Sequence, residues 1–200
     1  LIEIALACAR RGDFVGMGEI CRGILAAEPN QPDALFCMGL LHRRTGNIAA
    51  SVDCHERSVK GRPNNAEYRN GLGLAYRAAN RAADAIDAFE AAIRLDPVFV
   101  DAYVNVGQVH FGRGDFRTAI ARFRDAIERK PTNALLHVAL ARGLAAQGDT
   151  RGAEASYRRA LGLEGGVGPA HAGLGDLYLA AGDTTHALAA FRSGVDGDPE

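Results

Sequence analysis

The chain has 200 residues, 48% of them hydrophobic, which is enough to bury the core of one domain or of two small ones. Its 23 basic and 24 acidic side chains leave a net charge of -1, so the overall charge provides no attraction to nucleic acid or to an anionic membrane. No stretch approaches the roughly 20 consecutive apolar residues of a membrane span, and the absence of CxxC spacing among the four cysteines argues against a zinc site or a disulfide framework.

Prolines mark a regular period along the chain. Pro29, Pro63, Pro97 and Pro131 are each 34 residues apart, and Pro199 follows 68 residues later. A glycine stands at the omitted position, residue 165. Because proline and glycine both interrupt helices, the period predicts a break after each unit of 34 residues.

Each unit is predicted to form two antiparallel helices joined by a tight turn. Apolar residues follow helical spacing on both sides of a Gly-Asp or Gly-Asn pair, in which glycine takes the left-handed conformation and the next residue caps the second helix. Asn80-Arg81 occupies this turn in the third unit. The predicted units, in one continuous repeat domain, are 1–31 (partial and divergent), 32–65, 66–99, 100–133, 134–167 and 168–200.

Small and aromatic residues recur in the same register. The first helices carry Gly39, Gly73, Gly107 and Gly175, and the second helices carry Phe89, Phe123, Tyr157 and Phe191. The first two units depart from the pattern: Cys21 and His55 replace the aromatic residue, and Met17 and Ser51 replace an alanine. We therefore expect looser packing in these two units.

These residues resemble the tetratricopeptide repeat, and the resemblance covers essentially the whole chain. Leu72-Gly73, Tyr76, Ala85, Phe89 and Pro97 all stand at the spacing of that family. The resemblance implies an all-α fold, a right-handed α-solenoid or superhelix of about six helix-turn-helix hairpins.

The resemblance also implies a binding surface. In tetratricopeptide proteins, the face of each first helix that is turned away from the core lines a concave groove that holds peptides. Here that face carries apolar residues, amides and arginines, which suit an apolar peptide with acidic flanks. The predicted peptide-binding residues are Phe36, Leu40, Arg43, Asn70, Leu74, Arg77, Asn105, Gln108, Phe111, Val138 and Arg142.

Packing between neighbouring repeats is an alternative explanation for the apolar residues on this face. Two specialised sites of the family are not matched. The carboxylate clamp of co-chaperones uses lysine, but Lys60 and Lys130 both lie outside the first helices. The asparagine ladder of repeat-fused glycosyltransferases is matched by Asn105 alone.

The histidines are interpreted as structural residues. His42 and His110 take the position that Tyr76 fills in the third unit. His137 and His171 are one repeat apart, and the roughly 8 to 10 Å between packed helices exceeds what one metal ion bridges. No phosphate-binding loop or nucleophile motif is present. We therefore predict no metal site, no cofactor and no catalytic activity.

The function predicted from this pattern is that of a protein-protein interaction scaffold in the cytoplasm, with a protein or peptide partner, no nucleic acid and no membrane insertion. The alternative is a docking or substrate-recruiting arm of a larger enzyme such as a glycosyltransferase, since the chain lacks an initiator methionine. Homo-oligomerisation through the C-terminal end is a third hypothesis, because the last unit has no polar capping helix.

Overall fold

The computed structural model describes residues 1–196, and within that range all side chains except those of residues 6, 9, 10 and 196. This range contains twelve α-helices and no strand, so the predicted all-α class is confirmed. The right-handed sense of the solenoid stays a prediction. The helices are α1 (Ile2–Arg10), α2 (Phe14–Ala27), α3 (Pro32–Arg44), α4 (Ile48–Gly61), α5 (Ala66–Ala78), α6 (Ala82–Leu95), α7 (Val100–Gly112), α8 (Phe116–Arg129), α9 (Ala134–Gln147), α10 (Thr150–Leu163), α11 (Gly168–Ala180) and α12 (Thr184–Asp196).

The chain forms two compact units, Leu1–Asn105 (unit 1) and Val106–Glu200 (unit 2). In unit 1, α3 packs against α4 and α5 against α6. In unit 2, α9 packs against α10 and α11 against α12. The predicted boundaries of the six repeats stay a prediction, and Pro199 lies outside the described residues.

The turn within each helix pair has the predicted left-handed residue. Five of these residues are glycines with φ between 77° and 91°, and the sixth is Asn80 with φ 59°. Asparagine is the residue that tolerates this conformation best after glycine. The side chains of Asp13, Asn47, Asp115 and Asp149 accept hydrogen bonds from the backbone N–H groups three residues later, as the capping prediction requires.

A close approach between the two helices holds each of four hairpins together. A Cβ atom added to Gly73 would lie 2.5 Å from the ring of Phe89, and one added to Gly107 would lie 2.5 Å from the ring of Phe123. Gly39 and Gly175 make the same approach to His55 and Phe191. Real Cβ atoms do not come this close to a ring carbon, so these positions require glycine.

The first two predicted repeats, 1–31 and 32–65, are fully buried at the positions where the later repeats have alanine and an aromatic residue. Met17, Cys21, Ser51 and His55 each have 0% exposure, so the expected looser packing is not supported. Ser51 is accommodated because its hydroxyl donates a hydrogen bond to the carbonyl oxygen of Gly39, at 2.8 Å. His55 is not satisfied in this way, since neither ring nitrogen has a hydrogen-bond partner among the described residues.

Two of the histidines have a repeated structural role. The Nε2 atoms of His137 and His171 donate to the carbonyl oxygens six residues earlier, at 3.0 and 3.1 Å. The hydroxyl of Tyr103, one repeat before His137, makes the same bond to the carbonyl of Pro97 at 3.1 Å. These side chains fasten the loop between hairpins to the following helix, in agreement with the structural interpretation of the histidines.

The glycine approach predicts the outcome of a matched pair of substitutions in α7. Gly107→Ala places a methyl group against the buried Phe123 ring and is expected to lower the free energy of unfolding by about 2 kcal/mol. Gly112→Ala, in the same helix, has no atom within 4 Å of the new methyl group and is expected to be neutral or slightly stabilising. Urea unfolding followed by circular dichroism measures both, and equal midpoints for the two variants would contradict the packing account.

Candidate functional site

A cavity of about 340 Å³ opens in unit 1 on the predicted binding face of the first helices. Four of the predicted residues, Phe36, Leu40, Asn70 and Leu74, line it. The remaining lining residues are Ala66, Glu67, Gly71, Asp96, Phe99 and Asp101. We call this feature the unit 1 cavity.

Phe36 forms part of the floor of the unit 1 cavity. Its ring stacks on Tyr68 with a centroid separation of 4.7 Å and meets His55 edge-on at 5.3 Å. Only 6% of Phe36 remains exposed, so most of its surface contributes to packing between repeats. This agrees with the alternative explanation of the apolar face, namely packing between neighbouring repeats. Leu40 is half-buried against the same cluster, and Leu74 is also half-buried.

Asn70 and Asn105 are joined by a hydrogen bond. The Nδ2 atom of Asn105 donates to Oδ1 of Asn70 at 2.9 Å. Asn70 is only 8% exposed, whereas Asn105 is half-buried. This bond fixes the orientation of two amides on the predicted binding face, in consecutive repeats.

Arg43 and Arg77, also one repeat apart, are both partly removed from water. The Nε atom of Arg43 is enclosed and has no hydrogen-bond partner among the described residues. Burial lowers the pKa of the Arg77 guanidinium, and the positive charge of Arg43 lowers that pKa further. The two cations therefore lie close enough to repel each other.

Unit 2 has a smaller cavity on its first helices, of about 150 Å³. Three predicted residues, Gln108, Phe111 and Arg142, line it together with Phe123 and Ala139. The guanidinium of Arg142 lies 5.6 Å from the centroid of the Phe111 ring, a cation–π distance.

Val138 does not line this cavity. It is 5% exposed and belongs to the core cluster that also contains Tyr157 and Leu174. Val138 therefore contributes to the core of unit 2, and its role in peptide binding stays a prediction.

Six residues of the unit 1 cavity were missed by the sequence prediction, and four of them have a charged or aromatic side chain: Glu67, Asp96, Phe99 and Asp101. Glu67 and Asp101 were detectable, because they are 34 residues apart and share the register of Asp33. Asp96 and Phe99 lie in the connection between α6 and α7, and helical periodicity gives no information about where a connecting loop folds.

No group of three or more His, Cys, Asp or Glu side chains within the described part of the chain is arranged to hold a metal ion. Residues 1–196 also contain no helix whose length and hydropathy would let it cross a membrane.

The repeat pattern is matched by a family model described as "Tetratricopeptide repeat", over residues 37–98, 105–163 and 138–200. The chain belongs to the tetratricopeptide repeat family. A search of curated protein sequences finds no match to it.

Several solved structures have the same fold as this chain. The structure described as PilW, a widely conserved type IV pilus biogenesis factor, is 18% identical with a TM-score of 0.84, over 94% of this chain and 87% of that one. A tetratricopeptide repeat protein from Parabacteroides merdae is 16% identical with a TM-score of 0.81, over 100% of this chain and 79% of that one. MamA is 23% identical with a TM-score of 0.69, over 80% of this chain and 93% of that one. At these identities the likeness concerns the fold alone.

The buried histidine behind the unit 1 cavity gives this tetratricopeptide protein a pH-dependent stability. Burial, and secondarily the charge of Arg43, lower the pKa of His55 from 6.5 to about 4. Between these two values the unfolded chain holds a proton on His55 that the folded chain does not. Stability is therefore fully present above pH 6.5 and is lost as the pH falls toward 4.

We expect His55→Phe to remove this component of the pH dependence. Phenylalanine fills the corresponding position beside Gly73 and Gly107, so the variant retains the packing. The free energy of unfolding of the native chain should fall by about 3 kcal/mol more than that of the variant between pH 7 and pH 4. Urea titrations of both proteins at each pH measure this difference, and parallel pH curves would exclude His55 as the cause.

Proposed function

We propose that this tetratricopeptide protein is an interaction module without catalytic activity. It holds a segment of a partner protein on the first helices of its repeats. The observation that carries the proposal is the unit 1 cavity, which has an apolar floor and polar groups at its edges. Such a combination is typical of sites for a peptide or other ligand.

The apolar floor would provide most of the binding free energy. Leu40 and Leu74 are half-buried in the free chain, and a partner's apolar side chain would remove their remaining surface from water. The Asn70–Asn105 pair offers amide donors and acceptors to a peptide main chain. Because the pair is already ordered, little conformational entropy is lost when it binds.

Arg43 and Arg77 would hold an acidic group of the partner. Both guanidinium groups are partly desolvated, and a carboxylate of the partner would form charge-assisted hydrogen bonds with them. In unit 2 the exposed Arg142 beside Phe111 offers a second cation to an acidic partner.

Several wider expectations stay predictions. They are the cytoplasmic location, the lack of nucleic-acid binding, the role as a docking arm of a larger enzyme, and self-association through the last hairpin. Self-association is favoured by three exposed apolar residues of α11 and α12, namely Leu179, Leu188 and Val195, at 55%, 51% and 76% exposure.

The proposal predicts that a partner is lost when the arginines of the first helices are removed. The experiment immobilises the chain, captures proteins from the source cell lysate and compares the native chain with the Arg43→Ala, Arg77→Ala, Arg142→Ala variant by mass spectrometry. Each arginine that bonds a carboxylate should contribute about tenfold in affinity. The thermal midpoint should change little, because the buried core clusters contain none of these three side chains.

A matched control removes three exposed arginines from second helices: Arg124→Ala, Arg151→Ala, Arg159→Ala. It makes the same change in net charge and should retain the partner. A partner that is lost equally from both variants would indicate a charge effect without a site, and a partner retained by both would place binding elsewhere on the chain.

A further inference from the structure

Three carboxylates line the unit 1 cavity. Glu67 lies in the first turn of α5, Asp101 lies in the first turn of α7, and Asp96 lies in the connection that precedes α7. Asp96 accepts a hydrogen bond from the backbone N–H of Val98 at 3.1 Å. None of the three has a cationic partner among the described residues, so the cavity carries an uncompensated negative charge.

The carboxylate one repeat earlier is compensated. Asp33 shares the register of Glu67 and Asp101, and both of its oxygens accept hydrogen bonds from Arg62 at 2.8 Å. Tyr68 also donates to Asp33 through its hydroxyl. The favourable interaction of an acid with a helix N-terminus explains the position of all three side chains. It does not explain why Asp33 has a cationic partner, whereas Glu67 and Asp101 have none among the described residues.

Asn70 adds an unused hydrogen-bonding group to the same cavity. This residue is 8% exposed, and its Oδ1 atom accepts the bond from Asn105. Its Nδ2 atom has no partner within the described part of the chain, and the residue lines the cavity. This amide donor is therefore available to an acceptor of a ligand or to water.

We propose that the unit 1 cavity binds a lysine or arginine side chain of the partner segment. The cationic group lies among Glu67, Asp96 and Asp101, and the methylene groups of the side chain lie against the apolar floor. The main-chain carbonyl of the segment accepts a hydrogen bond from Nδ2 of Asn70. This inference rests on the proposed function and specifies the chemistry of the ligand.

A long cationic side chain fits these observations better than other cations. The described residues include no group of three His, Cys, Asp or Glu side chains placed to hold a metal ion, so the carboxylates do not form a divalent-cation site. The floor of Phe36, Leu40 and Leu74 requires an apolar surface on the ligand. Lysine and arginine carry both an apolar stem and a charge, whereas a small hydrated ion has no apolar part.

The cavity also indicates how charge is arranged along the bound segment. Glu67 and Arg77 stand at opposite ends of α5, ten residues apart, which corresponds to about 15 Å along the helix. The bound segment therefore has its cation toward the beginning of α5 and its acidic group toward the end. A segment bound in the opposite direction would place its acidic group beside Glu67 and its cation beside Arg77, and like charges repel.

The test uses a random dodecapeptide library displayed on phage and selected on the full chain. A selected peptide is then synthesised with a fluorescent label, and its affinity is measured by fluorescence anisotropy. The variant Glu67→Gln, Asp101→Asn removes two carboxylates from the cavity and keeps the shape of the side chains. The control Asp87→Asn, Glu128→Gln makes the same charge change at exposed positions of α6 and α8.

The selected peptides are expected to carry lysine or arginine next to apolar residues. The cavity variant should bind the synthetic peptide about fivefold to tenfold more weakly than the native chain, with a loss that shrinks at high salt, while the control variant binds as the native chain does. Selected peptides without a cation, or with equal affinity for all three proteins, would overturn the inference and leave the proposed function standing. If the library yields no binding peptide, both fail.

Discussion

Four of the six described hairpins depend on the approach of an aromatic ring to a helix position that has no side chain. In four hairpins a ring from the second helix occupies the space where a Cβ atom of the first helix would stand, at distances of 2.4 to 2.6 Å. The approach sets the distance between the paired helices. It also commits one side of each first helix to its own hairpin, which leaves the opposite side for other contacts.

That opposite side serves two purposes in unit 1. Phe36 is used mainly for packing, because Tyr68 of the next hairpin stacks on its ring. Leu40 and Leu74 keep part of their surface exposed, and Asn70 keeps an amide donor free among the described residues. The cavity lies at this contact between repeats, since Phe36 is one of its lining residues. Packing and binding therefore share one face, and the sequence pattern alone does not divide the residues between them.

The fold could be predicted in detail because the signals that determine it are local. The turn at Asn80 is an example: the period identifies its position, and asparagine is the residue other than glycine that best accepts φ 59°. The burial of His55 at an aromatic position follows from the same register. The cavity could be predicted only in part. Its apolar floor follows from helix periodicity, but Asp96 and Phe99 reach it from a connecting loop.

The prediction of an acidic partner considered the arginines alone. Charge compensation depends on contacts between repeats, and these are visible only in three dimensions. Asp33 and Glu67 are equivalent in the sequence, yet Arg62 bonds Asp33 and no described cation bonds Glu67. The binding face of unit 1 therefore carries carboxylates at one end of α5 and guanidinium groups at the other.

The central claim is that a partner segment lies on the first helices. The most direct measurement is a nuclear magnetic resonance titration of the isotope-labelled chain with a library-selected peptide, followed at the side-chain amide signals of asparagine. The account predicts large shift changes for Asn70 and Asn105, and none for Asn30 and Asn64, which are exposed residues between hairpins. Binding that leaves the signals of Asn70 and Asn105 unshifted, or that shifts only those of Asn30 and Asn64, would contradict it.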